Sequence, residues 1–498
     1  MIEPADRDAL LQIVGTAGLL LAPEDRMPYE TAARYGGGTA AAVVRPADTA
    51  EVSAVVRHCV RRALPFTPQS GNTGLVLGST PDGTGNQIVL SLDRLRAPVR
   101  IDASDRTVAV AAGVRLSALN AALEPHDLFL PIDVSSDPMI GGMVATNTGG
   151  ARFIRYGDMR RHVLGLEVVL PDEAGTVLKL SNGLRKDNAH LDLRQLFVGS
   201  CGAFGIVTAA TLEVHPRPRQ SAVALLVPRD DDAVLELLSA FEADAGEYLT
   251  AFECMSGAAM RRAFAHNPSL RNPFAEGLPA FVILLELTST AAEYGGERSL
   301  DAVLEAVVTR LAERQSSPLA DVRFGAAERF WALRHSLSEG LRASGPVVGF
   351  DLSFRRTEVM PFRRVAAARL AARFPEFELC DFGHIADGGV HFNLVRSAPA
   401  AADAAHAGAP SAYAAHIDTA HIDAARVAAL RDEVLQLAVE DFGASFSGEH
   451  GIGRANQSAY DRFTPMLIQQ YSAAVAAVFS RVPAAAVRFG PPATAAGV

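Results

Sequence analysis

The spacing of apolar positions divides the chain into two regions. In the first region, short apolar runs predict strands, and Val52, Val55, Val56 and Cys59 share one face of a predicted helix. The proline-rich stretch HPRP at 215–218 predicts a domain boundary. The strands predicted before that boundary lie at 41–45, 65–68, 88–92, 107–112, 164–170, 176–180 and 203–214.

From residue 221 onward, predicted strands alternate with predicted helices. The strands lie at 222–227, 248–253, 280–288, 347–354 and 377–382, and the helices lie at 232–243, 258–264, 297–314, 361–373 and 423–440. This order, with its antiparallel signals, predicts an α+β domain whose sheet is covered by helices on one face. Residues 398–416 are rich in alanine, proline and glycine, which predicts a surface insertion, and 458–481 predict a last amphipathic helix.

Two histidines flank a predicted hairpin turn within the stretch GHIADGGVHFN at 383–393. Asp387-Gly388 between two apolar runs is a strong turn signal, and a two-residue turn there sets His384 opposite His391. Opposed residues place their Cβ atoms about 4.5–5.5 Å apart, which suits two imidazole ligands of one transition metal. Glu449, in the later stretch SGEHGIG, is a third candidate ligand. The alternative is that one histidine packs in the core and the other caps a turn.

Three glycine-rich stretches precede this hairpin, at 68–75 (PQSGNTGL), 140–150 (IGGMVATNTGG) and 199–208 (GSCGAFGIVT). In the first, Gly71 and Gly74 let backbone N–H groups approach an anion, which indicates either a pyrophosphate cradle or a flexible turn. The second places two Gly-Gly pairs around small residues, a pattern typical of backbone that lies flat against a large planar ligand. No G-x-G-x-x-G follows the first strand and no GxxxxGK[ST] occurs, so neither a Rossmann nor a P-loop site is indicated.

Composition narrows the class of protein. The 498 residues predict two or three domains, and 49% hydrophobic with 20% charged residues is typical of a soluble globular protein. The net charge is −10 with no basic block, so we expect no nucleic-acid partner. Acidic residues near the N-terminus and no long apolar run indicate no targeting or membrane segment. We expect a cytoplasmic protein with four buried thiols, at Cys59, Cys201, Cys254 and Cys380.

Together these stretches resemble one family, the FAD-dependent 2-hydroxyacid dehydrogenases of the vanillyl-alcohol oxidase/p-cresol methylhydroxylase fold. Its D-2-hydroxyglutarate dehydrogenase, D-lactate dehydrogenase and glycolate oxidase branch is the most similar. The six matching stretches, in family order, are PQSGNTGLV (68–76), IGGMVATNTGGARFIRYG (140–157), KDN…DLRQLFVGSCGAFGIVT (186–208), FWALRHSLSE (330–339), GHIADGGVHFN (383–393) and SGEHGIG (447–453).

The resemblance implies an α+β fold in three parts. A two-subdomain FAD-binding domain of the p-cresol methylhydroxylase type would span 1–217, and a cap domain that binds substrate and metal through an antiparallel sheet covered by helices would span 218–455. A C-terminal helical segment at 456–498 would return to the FAD domain. The residues implied to hold non-covalent FAD are Pro68, Gln69, Ser70, Gly71, Asn72, Thr73, Gly74, Leu75, Gly78, Ile140, Gly141, Gly142, Met143, Ala145, Thr146, Asn147, Gly149, Gly150, Gly205, Ile206 and Val207.

The same resemblance implies a divalent metal, zinc or manganese, bound by His384, His391 and Glu449. A His2Glu set leaves coordination positions open for a substrate. His450 matches the family's proton acceptor, with a structural histidine at the flavin edge as the alternative. The residues that match family contacts to the substrate are Arg334, Ser338, Asn393 and His450. For Arg334 the alternative is a surface ion pair.

Two positions depart from the family pattern. Gly349 stands where D-2-hydroxyglutarate dehydrogenases carry a lysine, which puts a dicarboxylate substrate in doubt unless Arg342, Arg355 or Arg356 compensates. Cys201 stands where the family usually has glutamate.

We therefore predict FAD-dependent oxidation of a small D-2-hydroxy acid to the 2-oxo acid. Its electrons would pass to an acceptor such as an electron-transfer flavoprotein, a quinone or a soluble carrier, through which the protein could be peripheral to a membrane. A homodimer is a possible assembly. The alternatives are an oxidase that uses O2, a metal-dependent hydrolase whose glycine loops hold a phosphate group, and a non-catalytic flavin- or metal-binding protein.

Overall fold

The N-terminal part of the chain forms a small sheet covered by helices. The computed structural model describes residues 2–34, 36–181, 183–292, 299–396, 424–480 and 487–492, so the insertion predicted at 398–416 lies outside the described residues. The first strands and helices are α1 (Pro4–Val14), β1 (Leu19–Leu20), α2 (Pro23–Glu30), β2 (Ala40–Val44), α3 (Thr49–Arg61), β3 (Phe66–Gln69) and β4 (Gln87–Ser91), with a 3-10 turn at Thr16–Gly18. The strand order is β1-β2-β4-β3.

Helix α3 shows why this part folds as the sequence predicts. The Asp48 side chain accepts a hydrogen bond from the backbone N–H of Glu51 at 2.9 Å and caps the helix. The predicted apolar face of α3 is buried against β2 and β4. Since β2 and β3 both run parallel to β4, this β-α-β unit carries the chain back across the sheet and ends β3 at Gln69. The glycine-rich loop that follows therefore starts at the carboxyl end of a buried strand.

A second sheet follows, built from antiparallel strands. Its elements are β5 (Arg100–Asp102), β6 (Thr107–Ala111), α4 (Leu116–Leu123), β7 (Leu128–Phe129), α5 (Ile140–Thr146), α6 (Phe153–Tyr156), α7 (Met159–His162), β8 (Val163–Val169), β9 (Val177–Leu180), α8 (Arg194–Phe197), β10 (Ile206–Glu213) and β11 (His215–Pro216), with a 3-10 turn at Glu124–His126. The order is β5-β6-β10-β8-β9, and β7 pairs with β11.

A backbone that lies flat against a ligand would be extended, but only part of the second glycine-rich stretch is. Residues 140–146 form helix α5, which ends at Asn147 in the left-handed conformation. An added Cβ on Gly141 would lie 2.6 Å from the Cβ of Ala112, so the glycine lets α5 approach the end of β6. Ile140 is fully buried in the core beneath the helix. Only the residues after 146 form a loop.

The third sheet is the largest and belongs to the second half of the chain. Its elements are β12 (Gln220–Pro228), α9 (Ala233–Ala245), β13 (Leu249–Ser256), α10 (Gly257–His266), β14 (Phe281–Ser289), α11 (Leu300–Ala312), β15 (Leu319–Phe324), α12 (Ala327–Ala343), β16 (Val347–Ser353), α13 (Val359–Arg373), β17 (Phe377–Leu379), β18 (Phe382–Gly383), β19 (Gly389–Arg396) and α14 (Ala424–Gln436), with a 3-10 turn at Arg356–Glu358 and a π-helical turn at Leu437–Asp441. Its order is β15-β12-β14-β13-β18-β19-β16, with β17 paired to β19, and every pair is antiparallel.

Helices cover both faces of this sheet, so the expectation of one covered face was wrong. Ala224 and Leu226 pack into the core formed with α9, α11, α13 and α14. Their neighbours Val223 and Leu225 point the other way and pack with α10 and α12. All nine residues of β14 are buried, as expected for a strand between two helical layers. Helix α12, on the second face, carries the predicted substrate arginine.

The last helical segment is broken where a single helix was predicted. Helix α15 (Gln457–Phe463) ends before Thr464, and α16 (Met466–Phe479) begins after Pro465. Proline disfavours helical backbone in the residue before it, and Thr464 is extended. The Phe479 ring contacts Phe197 at 5.0 Å between centroids, so the chain returns to the second sheet. Within the described ranges, no helix combines the length and apolar character that crossing a membrane requires.

Candidate active site

One cavity of about 550 Å³ brings the predicted segments together, a size that suits a small-molecule site. The predicted FAD residues that line it are Pro68, Gln69, Ser70, Gly71, Asn72, Thr73, Gly74, Leu75, Gly78, Gly141, Gly142, Met143, Ala145, Thr146, Gly150, Gly205, Ile206 and Val207. Its opposite wall includes Arg334, Ser338, His384, His391, Glu449 and His450. The two halves of the chain therefore face each other across one space.

Three predicted FAD residues lie behind the cavity wall. Ile140 is in the core, and the Asn147 side chain donates to Asp158 at 2.6 Å and accepts from the backbone N–H of Arg160 at 2.8 Å. Gly149 is close to the carboxylate of Glu449, where an added Cβ would lie 3.2 Å from Oε1. These residues shape the loop that the others present to the cavity.

The hairpin that carries the two histidines has a different register from the predicted one. Phe382, not His384, pairs with His391, and the loop between β18 and β19 has five residues. Packing against β16 explains the wider loop, because the backbone N–H of Phe354 donates to the carbonyl of Gly388 at 3.0 Å. The two imidazoles nevertheless meet, with ring centroids 5.1 Å apart at an angle of 83°.

A buried carboxylate orients His384. Oε1 of Glu253, on β13, lies 2.8 Å from Nδ1 of His384, and Nε2 of the same ring lies 3.2 Å from Oε1 of Glu449. Burial lowers the pKa of His384, but the carboxylates of Glu253 and Glu449 outweigh it and raise the pKa to about 10. Burial likewise raises the pKa of Glu253, yet the charges of His384 and Arg334 outweigh burial and lower it to about 2. The ring therefore presents Nε2 toward Glu449.

A second buried carboxylate, Asp351 on β16, holds the Glu449-His450 segment. Its Oδ2 accepts hydrogen bonds from the backbone N–H groups of Glu449 at 2.7 Å and of His450 at 2.8 Å. Its Oδ1 lies 3.5 Å from Nδ1 of His391. The rings of His391 and His450 are stacked, 5.3 Å apart and within 3° of parallel. Asp351 thus fixes the loop in which the predicted ligand and the predicted base are adjacent.

The donor atoms near this loop fit a divalent metal. His384, His391 and Glu449 each offer one donor atom, and these atoms lie within 4.8 Å of one another. Two imidazole nitrogens and one carboxylate oxygen are ligands that zinc and manganese both accept. Metal-bound histidines are commonly oriented by a carboxylate at their second ring nitrogen, and Glu253 holds this position at His384. Asp351, His391 and His450 form a second, overlapping cluster with similar spacing.

The remaining predicted substrate residues differ in their surroundings. Arg334 is buried, and its Nε donates to Oε2 of Glu253 at 2.9 Å, so its ion pair is internal and not on the surface. Ser338, one helical turn further along α12, is half-buried at the cavity. Asn393 is 0% exposed, and its amide accepts from Arg34 and donates to the carbonyl of His391. Asn393 does not line the cavity, and Arg34, which does, contacts it.

Known proteins resemble this chain along most of its length. The family profile described as an FAD binding domain matches residues 40–181, and the one described as the C-terminal domain of FAD linked oxidases matches 217–479. The mitochondrial D-2-hydroxyglutarate dehydrogenase of Rattus norvegicus is 35% identical over 363 residues, which are 72% of this chain and 66% of the relative. The D-2-hydroxyglutarate dehydrogenase of Xanthomonas citri pv. viticola is 34% identical over 421 residues, which are 84% of this chain and 82% of the relative.

The chain belongs to the FAD-dependent D-2-hydroxyacid dehydrogenases. It spans just under two thirds of the length of the rat relative. A crystal structure of p-cresol methylhydroxylase with substrate bound has a similar fold, with a TM-score of 0.71 at 15% identity over 95% of this chain and 94% of that one. The α+β fold of the p-cresol methylhydroxylase type is thereby confirmed.

The cavity wall fits the FAD that this dehydrogenase family binds. An added Cβ on Gly74 would meet no atom within 4 Å, so the backbone there can lie directly against a ligand. Of the four cysteines, Cys59, Cys254 and Cys380 are buried as predicted, whereas Cys201 is only half-buried and lines the cavity. All four are free thiols.

Sequence reasoning missed two carboxylates of this site, Glu253 and Asp351. Each is the single charged residue of a buried strand, LTAFECMS for β13 and VVGFDLS for β16. A buried carboxylate needs a partner, so its presence in such a strand is a signal for a buried network. Arg34 carries no comparable signal, because it lies in a short segment between α2 and β2.

Proposed function

We propose that this dehydrogenase oxidises a D-2-hydroxy acid to the corresponding 2-oxo acid. In the reaction, the hydroxyl loses its proton and the Cα–H bond breaks, with its electron pair leaving as hydride. FAD supplies the two-electron acceptor, and a divalent metal supplies Lewis acidity at the hydroxyl. The observation that carries the proposal is the shared cavity, which joins the FAD-binding glycine segments to His384, His391, Glu449 and His450.

The charge state of His450 supports its role as the proton acceptor. Burial lowers the pKa of His450, and the guanidinium of Arg34 lowers it further, against the opposing charges of Asp351 and Glu449. A neutral imidazole at pH 7 can accept a proton, as general base catalysis requires. The backbone contact to Asp351 fixes where the ring lies. His450 therefore takes the hydroxyl proton in the proposed reaction.

The other residues bind and orient the acid. His384, His391 and Glu449 would hold zinc or manganese, with Glu253 fixing the orientation of His384. Arg334 and Ser338, on one face of α12, would bind the substrate carboxylate, because a guanidinium forms charge-assisted hydrogen bonds to carboxylates. The electrons would then pass to an electron-transfer flavoprotein, a quinone or a soluble carrier.

The base assignment is tested with His450→Ala. The purified variant should keep its bound FAD and metal, yet anaerobic reduction of the flavin by a D-2-hydroxy acid should slow by about 100-fold or more. His126→Ala, at an exposed histidine, is the control and should reduce at the wild-type rate. Reduction at the wild-type rate in His450→Ala would show that another group takes the proton.

A further inference from the structure

Gly349 leaves a space that the side chain of Arg34, a residue of the cavity wall, fills. It lies on β16 opposite Asn393 of β19. An added Cβ on Gly349 would lie 2.4 Å from Nη1 of Arg34 and 2.8 Å from its Cζ. Real side chains do not approach so closely, so the guanidinium occupies the space that any side chain at 349 would need. Arg34 can therefore take this position only because residue 349 has no side chain.

The guanidinium of Arg34 is held in place by a buried amide. Nη2 of Arg34 donates to Oδ1 of Asn393 at 3.1 Å, and Nδ2 of Asn393 donates to the carbonyl of His391 at 3.1 Å. Asn393 thus connects Arg34 to the strand that carries a candidate metal ligand. Arg34 itself lines the cavity together with His391 and His450.

A second arginine lies at the same end of the cavity. Arg342 is two turns beyond Arg334 on α12, lines the cavity, and donates from Nη1 to the carbonyl of Ala33 at 3.2 Å. Glu339, on the same helix, also lines the cavity and carries a negative charge. By contrast, Arg356 points away and pairs with Glu242 at 2.7 Å. The positive charge at this end therefore comes from Arg34 and Arg342.

We propose that Arg34 is a specificity-determining residue that binds a second carboxylate at the far end of the substrate. The assignment rests on the proposed function and deepens it, because it makes the substrate a 2-hydroxy dicarboxylic acid. A planar guanidinium forms paired hydrogen bonds to a carboxylate, and Asn393 orients it by occupying one of its amino groups. Arg342 adds charge but is the more exposed of the two arginines.

The test compares two acids of equal chain length, D-2-hydroxyglutarate and D-2-hydroxyvalerate, which differ in the terminal carboxylate. Arg34→Met should lower the ratio of kcat/KM for the dicarboxylate to kcat/KM for the monocarboxylate about 30-fold, which corresponds to about 2 kcal/mol. Any effect of the lost charge on His450 is common to both acids and leaves this ratio unchanged. Arg34→Lys should recover part of the loss. Arg7→Met, at an exposed arginine of α1, is the control and should change neither value.

Gly349→Ala is a second variant that tests the same interaction without changing Arg34 itself. Its Cβ would displace the far end of the Arg34 side chain, so this variant should show the same selective loss. The double variant Arg34→Met/Gly349→Ala should be no worse than either single change, since both remove one interaction. Equal losses for both acids in either variant, or additive losses in the double, would overturn the proposal.

A binding measurement separates this inference from the proposed function. Glutarate has both carboxylates but no hydroxyl, so it can bind without being oxidised. Its dissociation constant, measured by the change in flavin fluorescence, should rise about 30-fold in Arg34→Met even if no acid reduces the flavin. Unchanged glutarate affinity in that variant would refute the role of Arg34. Absence of flavin reduction with normal glutarate binding would refute only the oxidation.

Discussion

Nδ1 of His384 lies 2.8 Å from Oε1 of Glu253, a contact between residues 131 positions apart in the chain. The other oxygen of Glu253 accepts from Nε of Arg334 at 2.9 Å. One buried carboxylate therefore orients both a candidate metal ligand and a candidate substrate arginine. The positions of these two side chains relative to each other are therefore set by one residue.

Replacing Glu253 with glutamine should weaken metal binding more than FAD binding. The amide keeps the size of the side chain but loses the charge that orients and polarises His384, and losses of this kind cost about 10–100-fold in metal affinity. The check is the zinc dissociation constant, measured by competition with a chromophoric chelator. The FAD absorbance of the purified variant should match that of the wild type.

Glu286→Gln is the matched control for this variant. Glu286 is also buried, on the neighbouring strand β14, but its Oε2 lies 3.5 Å from Nε of Arg152, and no histidine among the described residues pairs with it. Zinc affinity in Glu286→Gln should stay at the wild-type value. If both variants or neither lost affinity, Glu253 would have no specific role in orienting His384.

Metal binding at pH 7 should release about one proton per ion. The carboxylates around His384 raise its pKa to about 10 against the effect of burial, so the metal-free protein holds a proton that a metal must displace. The apparent affinity should therefore rise about tenfold per pH unit from pH 7 until the pH approaches that pKa. Isothermal titration in two buffers of different ionisation enthalpy measures the released protons. Zero release would contradict the assignment of His384 as a ligand.

Helix α12 depends on a close approach at Gly340, where it crosses α10. An added Cβ at 340 would lie 2.7 Å from Cα of Ala263 and 2.8 Å from its backbone nitrogen. Alanine gains about 1 kcal/mol of helix propensity over glycine, but a clash with rigid backbone costs about 1–3 kcal/mol. Gly340→Ala should therefore lower the midpoint of thermal unfolding, by about 2–4 °C for a net loss of about 1 kcal/mol.

The control for that variant is Gly83→Ala, in an exposed turn where an added Cβ meets no atom within 4 Å. Its midpoint, measured by the same circular dichroism melt, should not fall. A midpoint for Gly340→Ala equal to or above that of the wild type would mean that α10 can move aside. Arg334 and Ser338 would then be less rigidly positioned than the packing indicates.

The sequence pattern was sufficient to predict helices and strands that are stabilised by residues near them in the chain. The Asp48 cap and the apolar face of α3 lie within one stretch of sequence, and β4, the strand after the first glycine loop, contains a continuous apolar run. The residues that line the cavity could be named from glycine spacing and from family resemblance. Their nearest partners could not, because Glu253, Asp351 and Arg34 come from elements that meet only in the folded chain.

The errors have the same physical origin. The Asp387-Gly388 pair predicts a two-residue turn, but the hydrogen bond from Phe354 to Gly388 widens the loop and changes the register. The second helical layer on the third sheet was missed because residues 222–228 of β12 are apolar on both faces of the strand, so their spacing does not show which face is covered. The break at Thr464-Pro465 is an exception, since the proline itself predicts it.

Oxidation of a D-2-hydroxy acid is tested by mixing the anaerobic, FAD- and metal-loaded protein with the two enantiomers of that acid. The absorbance of oxidised flavin near 450 nm, followed by stopped flow, reports the transfer of two electrons. We expect rapid bleaching by D-2-hydroxyglutarate and none by the L-enantiomer, with 2-oxoglutarate formed in equal amount to the reduced flavin. Failure of every D-2-hydroxy acid to bleach the flavin, or equal bleaching by both enantiomers, would contradict the proposed oxidation.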